Sequence, residues 1–176
     1  QKNLPYDPLK DFTPVTFCFS TPLYLVTSLT LPATSVKELI ALAKARPAGL
    51  TFASGGPGSS THLAAELFRS LAGVNLVHVP YKGSAPAMTD VMAGHVDMMF
   101  EGGGVNYVRD GKVRGLAVTS LKRSMSAPAL PTMNESGVPG YEAAIWFGIV
   151  APAATPRAIV ARLATDIGTV LNQPQF

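Results

Sequence analysis

The segment from Ser54 to Thr61 carries the residue types best suited to binding an anion. It reads Ser-Gly-Gly-Pro-Gly-Ser-Ser-Thr between a predicted strand and a predicted helix. Glycines let a backbone approach a ligand closely, hydroxyls can donate, and the first helical turn offers free N–H groups beside a positive dipole end. The pattern predicts a carboxylate or phosphate site; an ordinary capped turn without a ligand is the alternative. The candidate ligand-binding residues here are Gly56, Gly58, Ser59, Ser60 and Thr61.

The same segment departs from two known nucleotide-binding patterns. A phosphate loop of the Walker type needs a lysine after its last glycine, and Gly58 is followed by serine. A dinucleotide fingerprint needs a third glycine where this chain has Thr61. A small α/β transferase that binds a phosphate through this loop is therefore an alternative hypothesis rather than the preferred one.

Four further polar residues lie at the ends of predicted strands or shortly after them. Lys82 and Ser84 come after the strand 76–80, Glu101 ends a buried strand and precedes three glycines, and Thr119 ends the strand 115–120. The carboxyl ends of strands are where ligands bind in open α/β sheets. We therefore expect these residues at the binding edge. The alternatives are a solvated lysine, helix or loop capping by the hydroxyls, and a carboxylate that binds only its own loop.

The remaining reactive residue types form no catalytic or metal-binding pattern. The three histidines, His62, His78 and His95, are not spaced as metal ligands, and one cysteine allows neither an internal disulfide nor a cysteine metal cluster. A serine-hydrolase elbow is also lacking. We predict no catalytic residue, no metal and no cofactor, so the chain is not expected to be an enzyme.

Composition excludes several protein classes. The 176 residues are 47% hydrophobic and 14% charged, which is too apolar for a disordered chain. The net charge of +3 is spread along the sequence, whereas nucleic-acid binding calls for a basic stripe, so no nucleic-acid partner is expected. No run of 18 apolar residues is present that could span a bilayer.

Strand, loop and helix patterns alternate with short connections along the chain. This order predicts an α/β fold with a mainly parallel sheet flanked by helices. One helix begins after Ser35 in a capping-box pattern with Glu38, and it ends before Pro47. The other predicted helices are 61–72, 85–93, 105–109 and 156–171, and the predicted strands are 15–19, 23–27, 50–53, 76–80, 96–100, 115–120 and 147–151.

Several motifs in order along the chain resemble one protein family. They are LPYDP at 4–8, DFTP at 11–14, SVKEL at 35–39, GSSTHL at 58–63, HVPYKGSAPA at 78–87, LAVTS at 116–120, LPT at 130–132, GVPGYE at 137–142 and WFG at 146–148. Together they resemble the Bug (TctC-like) family, the extracytoplasmic solute receptors of tripartite tricarboxylate transporters. The resemblance covers essentially the whole chain, and the combination is more specific than any single motif.

The resemblance implies a periplasmic-binding-protein fold of two α/β lobes that close on a ligand. It implies that residues 32–143 form the second lobe, and that 1–31 and 144–176 are crossing strands and remnants of the first lobe. The chain then lacks parts of the family's sequence at both ends. Because strands 15–19 and 147–151 would lack their sheet, we expect exposed edges and a strand-paired dimer.

The resemblance also implies a function. The expected ligand is a small carboxylate, held by the loop that includes Gly56 and Ser60, in a periplasmic protein that works with membrane transporter subunits. Glu101 departs from the family, which more often has Asp followed by a loop without glycine. A sensor that signals to a partner, instead of a receptor for transport, is the third hypothesis.

Overall fold

The computed structural model describes residues 4–173, and the expectations for residues 1–3 and 174–176 lie outside them. In chain order the elements are β1 (Phe12–Pro22), β2 (Tyr24–Thr27), α1 (Val36–Ala45), β3 (Leu50–Ser54), α2 (Ser60–Ala72), β4 (Leu76–Pro80), α3 (Ser84–Ala93), β5 (Met98–Glu101), α4 (Gly104–Arg109), β6 (Arg114–Val118), β7 (Ala144–Pro152) and α5 (Arg157–Leu171). The predicted order of strands and helices is confirmed, with boundaries shifted by a few residues.

The chain divides into two compact units. The larger is Thr21–Ile145, and the smaller is formed by the described residues on either side of it, 4–20 and 146–173. The larger unit begins eleven residues before the boundary expected at residue 32. The physical reason is that β2 is an inner strand of the larger unit's sheet, hydrogen-bonded on both sides.

The sheet of the larger unit has the strand order β4-β3-β5-β2-β6. β3 runs parallel to β4 and to β5, whereas β2 is antiparallel to both β5 and β6. Four strands therefore point the same way, which confirms a mainly parallel α/β sheet. Their carboxyl ends meet at one edge, which is the edge that carries the predicted site residues.

Both faces of this sheet are covered by apolar cores, and side-chain alternation along β5 assigns residues to them. Met98 and Phe100 are fully buried in the core that contains α1 and α2 side chains. Met99 is buried in the opposite core, with side chains of α3 and α4. Glu101 follows in this alternation and points to the α3 and α4 side, where it ends the strand.

The helices begin at the hydroxyl caps that the sequence indicates. The N-cap hydroxyl of Ser35 accepts from the backbone N–H of Glu38, and that of Ser59 accepts from the N–H of His62. The Glu38 carboxylate accepts from the N–H and the hydroxyl of Thr34, and these bonds lower the pKa of Glu38. α2 starts at Ser60, one residue earlier than predicted, because Ser59 is its cap.

In the smaller unit, β1 and β7 pair with each other as a two-stranded sheet. The rings of Phe19 and Phe147 stack with centroids 4.7 Å apart. The strands at 15–19 and 147–151, expected to lack their sheet, are thus not unpaired, because each is the other's partner. The strand-paired dimer stays a prediction. Among the described residues, no helix is long and apolar enough to span a membrane.

Candidate functional site

The hydroxyls in the loop between β3 and α2 are mostly bonded to the loop itself. Ser59 Oγ donates to the carbonyl of Gly56 at 2.7 Å and lies 3.0 Å from Thr61 Oγ1. Thr61, which is 5% exposed, accepts from the N–H of Gly55 at 2.9 Å. Two of the predicted ligand hydroxyls, those of Ser59 and Thr61, thus fix the shape of the loop.

Gly56 and Gly58 provide the sharp turn of the same loop. Gly56 has a φ of +124°, and a Cβ there would lie 3.2 Å from the carbonyl oxygen of Tyr81. An L side chain rarely adopts that backbone conformation, so glycine is required by geometry. The close approach holds this loop against the loop that follows β4.

A second set of polar groups at this edge has no partner in the described part of the chain. The exposed Ser60 hydroxyl makes no hydrogen bond, and neither do the N–H groups of Ser60 and Thr61 in the first turn of α2. At the start of α3, the N–H groups of Ser84 and Ala85 and the Ser84 hydroxyl are equally unpaired. These groups are available to an incoming anion.

The starts of α2 and α3 adjoin each other. A Cβ on Gly55 would lie 3.5 Å from both the N and the Oγ of Ser84. Lys82 is exposed just before α3 and makes no ion pair within residues 4–173. Two helix N-termini and one lysine therefore put positive potential at one place, as a carboxylate site requires.

Tyr81 anchors the loop between β4 and α3. Its hydroxyl donates to Asp90 Oδ2 at 2.5 Å, and its backbone N–H donates to the carbonyl of Ser54. Burial and the bond to Asp90 raise the pKa of Tyr81 to about 12, while the same bond lowers the pKa of Asp90. The loop that presents Lys82 and Ser84 is thus attached both to α3 and to β3.

Two histidines support the β3–α2 loop from the α2 side of the sheet. The rings of His62 and His78 stack with centroids 4.1 Å apart, and the ring of Phe52 continues the stack. His78 Nε2 lies 2.6 Å from Ser54 Oγ, and His62 Nδ1 accepts from the N–H of Gly58 at 3.0 Å. Burial, followed by the neighbouring His62, lowers the pKa of His78.

Glu101 lines an open cavity of about 340 Å³ on the other face of the sheet. Its Oε1 accepts from the N–H of Gly103 at 3.4 Å, which is a long hydrogen bond. Its Oε2 is buried and has no partner among the described residues. The cavity is lined by Ser84, Ala85, Met88, Glu101, Gly103, Asn106 and Tyr107.

Gly104 brings α4 close to the sheet, so that α4 forms one wall of this cavity. A Cβ on Gly104 would lie 3.1 Å from Tyr24 Cβ and 3.2 Å from Val26 Cγ1. With any larger residue, these neighbouring β2 side chains would have to give by a few tenths of an ångström. Asn106 and Tyr107, which sequence reasoning missed as site residues, reach the cavity through this contact. The sequence signal that could have identified them is their position directly after the Glu101–Gly104 turn, in the short helix that follows β5.

Thr119 is not open to a ligand in this structure. It is fully buried, and its Oγ1 lies within hydrogen-bond distance of the carbonyls of Leu23 and Ala143 and accepts from the N–H of Leu23 at 2.8 Å. The hydroxyl joins three chain segments. The structure therefore brings Ser60, Lys82, Ser84 and Glu101 to one edge as available groups and gives Thr119 a role in holding the fold.

Within residues 4–173 no group of three or more His, Cys, Asp or Glu side chains is placed to hold a metal ion. His62 Nε2 lies 3.9 Å from Glu66 Oε1, and His95 pairs with Asp90 at the far end of α3. The polar groups of the site are hydrogen-bond donors and one carboxylate, which suits the binding of a small polar molecule.

Comparison with known proteins identifies relatives along the whole chain. The family model described as "Tripartite tricarboxylate transporter family receptor" matches residues 1–176. The protein BugT of Bordetella pertussis is 39% identical over 172 residues, covering 97% of this chain and 53% of BugT. The chain spans about half the length of the curated relatives that it matches.

Solved structures agree with this sequence match. The Rhodopseudomonas palustris protein Rpa4515 with adipate is 40% identical, with a TM-score of 0.94 over 99% of this chain and 59% of that chain. MatC from Rhodopseudomonas palustris with bound malate is 32% identical, with a TM-score of 0.88 over 97% of this chain and 59% of that chain. BugD, a periplasmic binding protein of known structure, is 36% identical. The fold is that of periplasmic binding proteins.

Proposed function

The chain belongs to the tripartite tricarboxylate transporter receptor family, and from this premise we propose that it binds a small carboxylate for transport. The observation that carries the proposal is the adjoining pair of helix N-termini, α2 and α3, whose first N–H groups have no partner in the described chain. Two related structures hold carboxylates, adipate and malate. An anion between two such termini gains charge-assisted hydrogen bonds.

In this proposal each available group has a distinct role. The N–H groups of Ser60 and Ser84 donate to the carboxylate oxygens, and the hydroxyls of both residues add two further donors. Lys82 supplies a positive charge nearby. The hydroxyls of Ser59 and Thr61 hold the loop in the shape that aims those donors, so the loop needs little reorganisation on binding.

The Thr21–Ile145 unit, which contains the expected segment 32–143, is in this proposal one lobe of a two-lobed receptor, and the two chain ends belong to the other lobe. The protein performs no chemical step. Its location is periplasmic, and its partners are the membrane subunits of a tripartite transporter. Support for the location and the partners comes from the family alone. Release of the protein by osmotic shock of intact cells is the expected result.

The carboxylate site is tested by titration calorimetry on the full-length protein that carries this sequence, with adipate and 6-hydroxyhexanoate as probes. A hydrogen bond to a charged group contributes about 1.5–3 kcal/mol, so Ser60→Ala should weaken binding of both probes about tenfold or more. Because the Ser60 hydroxyl has no partner within the described chain, the midpoint of thermal unfolding should stay unchanged.

Ser70→Ala is the matched control, since it makes the same change at an exposed position near the other end of α2. It should leave affinity and stability as they are. The proposal fails if the wild-type protein shows no saturable binding of either probe, or if Ser60→Ala and Ser70→Ala have equal affinities. Turnover of a phosphorylated substrate would instead support the transferase hypothesis.

A further inference from the structure

The carboxylate of Glu101 is incompletely paired although one of its oxygens is buried. Oε2 has no partner within the described chain, and Oε1 has only the 3.4 Å contact with the N–H of Gly103. Residues 4–173 also contain no ion pair to Glu101. Burying a polar oxygen without a hydrogen-bond partner is costly, so this arrangement needs an explanation.

Two other glutamates of the same unit show how a purely structural carboxylate is satisfied. Glu135 Oε2 accepts from the backbone N–H of Thr132 at 2.7 Å and from the guanidinium of Arg123 at 3.0 Å. Glu38 Oε2 accepts from both the N–H and the hydroxyl of Thr34 at 2.7 Å. Both glutamates close a loop or a helix start with short bonds, and Glu101 does not.

Among the described residues, no lysine or arginine lines the cavity around Glu101. Its walls are uncharged apart from this carboxylate, and they offer the Ser84 hydroxyl, the Asn106 amide and the Tyr107 side chain. Ser84 belongs both to this cavity and to the carboxylate-binding edge, since it adjoins Gly55. A ligand whose carboxylate lies at the start of α3 can therefore extend toward Glu101.

We propose that Glu101 determines specificity by accepting a hydrogen bond from a hydroxyl, amide or ammonium group at the far end of the ligand, and that it disfavours a second carboxylate there. This inference rests on the proposed carboxylate site. A donor group on the ligand would pair with the Glu101 carboxylate, whereas a second carboxylate beside it would be repelled. The ligand class is thus a monocarboxylate with a donor at its other end.

The test compares four ligands of equal chain length that share one carboxylate. They are adipate, adipic acid monoamide, 6-hydroxyhexanoate and 6-aminohexanoate, titrated by calorimetry into the full-length protein at about neutral pH. We expect each of the three donor-ended ligands to bind about tenfold or more tightly than adipate. In Glu101→Gln, adipate should gain affinity and 6-aminohexanoate should lose it, so that their ratio changes about tenfold or more.

Two further variants keep the result decisive. Glu142→Gln makes the same change at an exposed carboxylate and should keep the wild-type preference. Glu101→Asp keeps the negative charge, so it should still bind the donor-ended ligands more tightly than adipate. It provides a second test of the inference if Glu101→Gln unfolds at a lower temperature.

The inference is overturned if adipate binds as tightly as the donor-ended ligands, or if Glu101→Gln preserves their order. If none of the four ligands binds, the carboxylate site itself fails and the inference fails with it. If all bind in the wrong order, the carboxylate site stands and only the role of Glu101 is lost.

Discussion

The loop after β3 and the cavity after β5 lie at the same edge of one sheet, but their polar groups are satisfied differently. In the loop, the hydroxyls of Ser59 and Thr61 bond to the backbone of the loop itself. In the cavity, one buried oxygen of Glu101 has no hydrogen-bond partner within residues 4–173. The bonds within the loop fix its shape and leave Ser60 as its available hydroxyl, whereas the Glu101 carboxylate is only partly paired by the described residues.

This difference separates groups that stabilise the fold from groups that bind. A hydroxyl with two internal partners contributes to the free energy of unfolding, and its loss changes affinity only through the shape of the site. An exposed group without an internal partner, such as the Ser60 hydroxyl, contributes little to stability and is free for a ligand. Substitutions at the two kinds of position should therefore move stability and affinity independently.

Thr119→Val should produce the largest loss of stability among the substitutions at this edge. Valine has a similar shape but leaves the buried N–H of Leu23 and the partly buried carbonyl of Ala143 without their partner. An unsatisfied buried group costs about 1–3 kcal/mol of unfolding free energy. Urea unfolding measures this loss, and calorimetry should show unchanged carboxylate affinity.

Thr119→Ser keeps the hydroxyl and should recover most of that stability. A Thr119→Val protein that unfolds at the wild-type urea concentration but loses carboxylate affinity would return Thr119 to the ligand site, as the sequence alone predicted.

Ser59→Ala should have a smaller effect on stability, of about 1 kcal/mol, because it removes the N-cap of α2. The Ser59 hydroxyl also bonds the carbonyl of Gly56, so the loop should loosen and carboxylate affinity should fall less than in Ser60→Ala. Urea unfolding and calorimetry on both variants give the comparison. Equal loss of affinity without loss of stability would show that Ser59 contacts the ligand directly.

The histidine stack should make stability depend on pH. Burial and His62 lower the pKa of His78 from its ordinary value of 6.5, so the unfolded chain takes up this proton more readily than the folded chain. Stability is then full above about pH 6.5 and falls as the pH drops toward the lowered pKa. Glu66 acts in the opposite direction and makes the fall shallower.

Urea midpoints measured between about pH 8 and about pH 5 test this dependence, with His78→Gln as the variant that should flatten it. The pKa values of three carboxylates are also lowered, those of Glu38, Asp90 and Glu135. The stability that these groups contribute to the fold is lost only at more acidic pH, outside this range. If the urea midpoint of the wild-type protein does not change over this range, protonation of His78 does not affect the free energy of unfolding.

Sequence reasoning predicted the elements and the edge of the sheet at which polar groups gather. The hydroxyl caps, the glycine turns and the alternation of strand and helix are local signals, because each depends on a few neighbouring residues. The starts of α2 and α3 were therefore located to within one residue, and Glu101 was placed at the end of its strand.

The hydrogen-bond partners of those groups could not be predicted from the sequence, because burial and hydrogen bonding join residues that are distant in the chain. The Thr119 hydroxyl is bonded to Leu23, which is 96 residues away, and that pairing follows from the insertion of β2 between β5 and β6. The stack of His62 on His78 depends on the packing of α2 against β3 and β4.

The sequence by itself determined the family, the α/β architecture and which residue types stand at the binding edge. Only the tertiary structure decided which of them are available. Ser59, Thr61 and Thr119 have internal partners, whereas Ser60, Lys82, Ser84 and one oxygen of Glu101 have none within the described chain. The physical reason is that a hydrogen-bonding group's availability depends on what the rest of the chain places beside it.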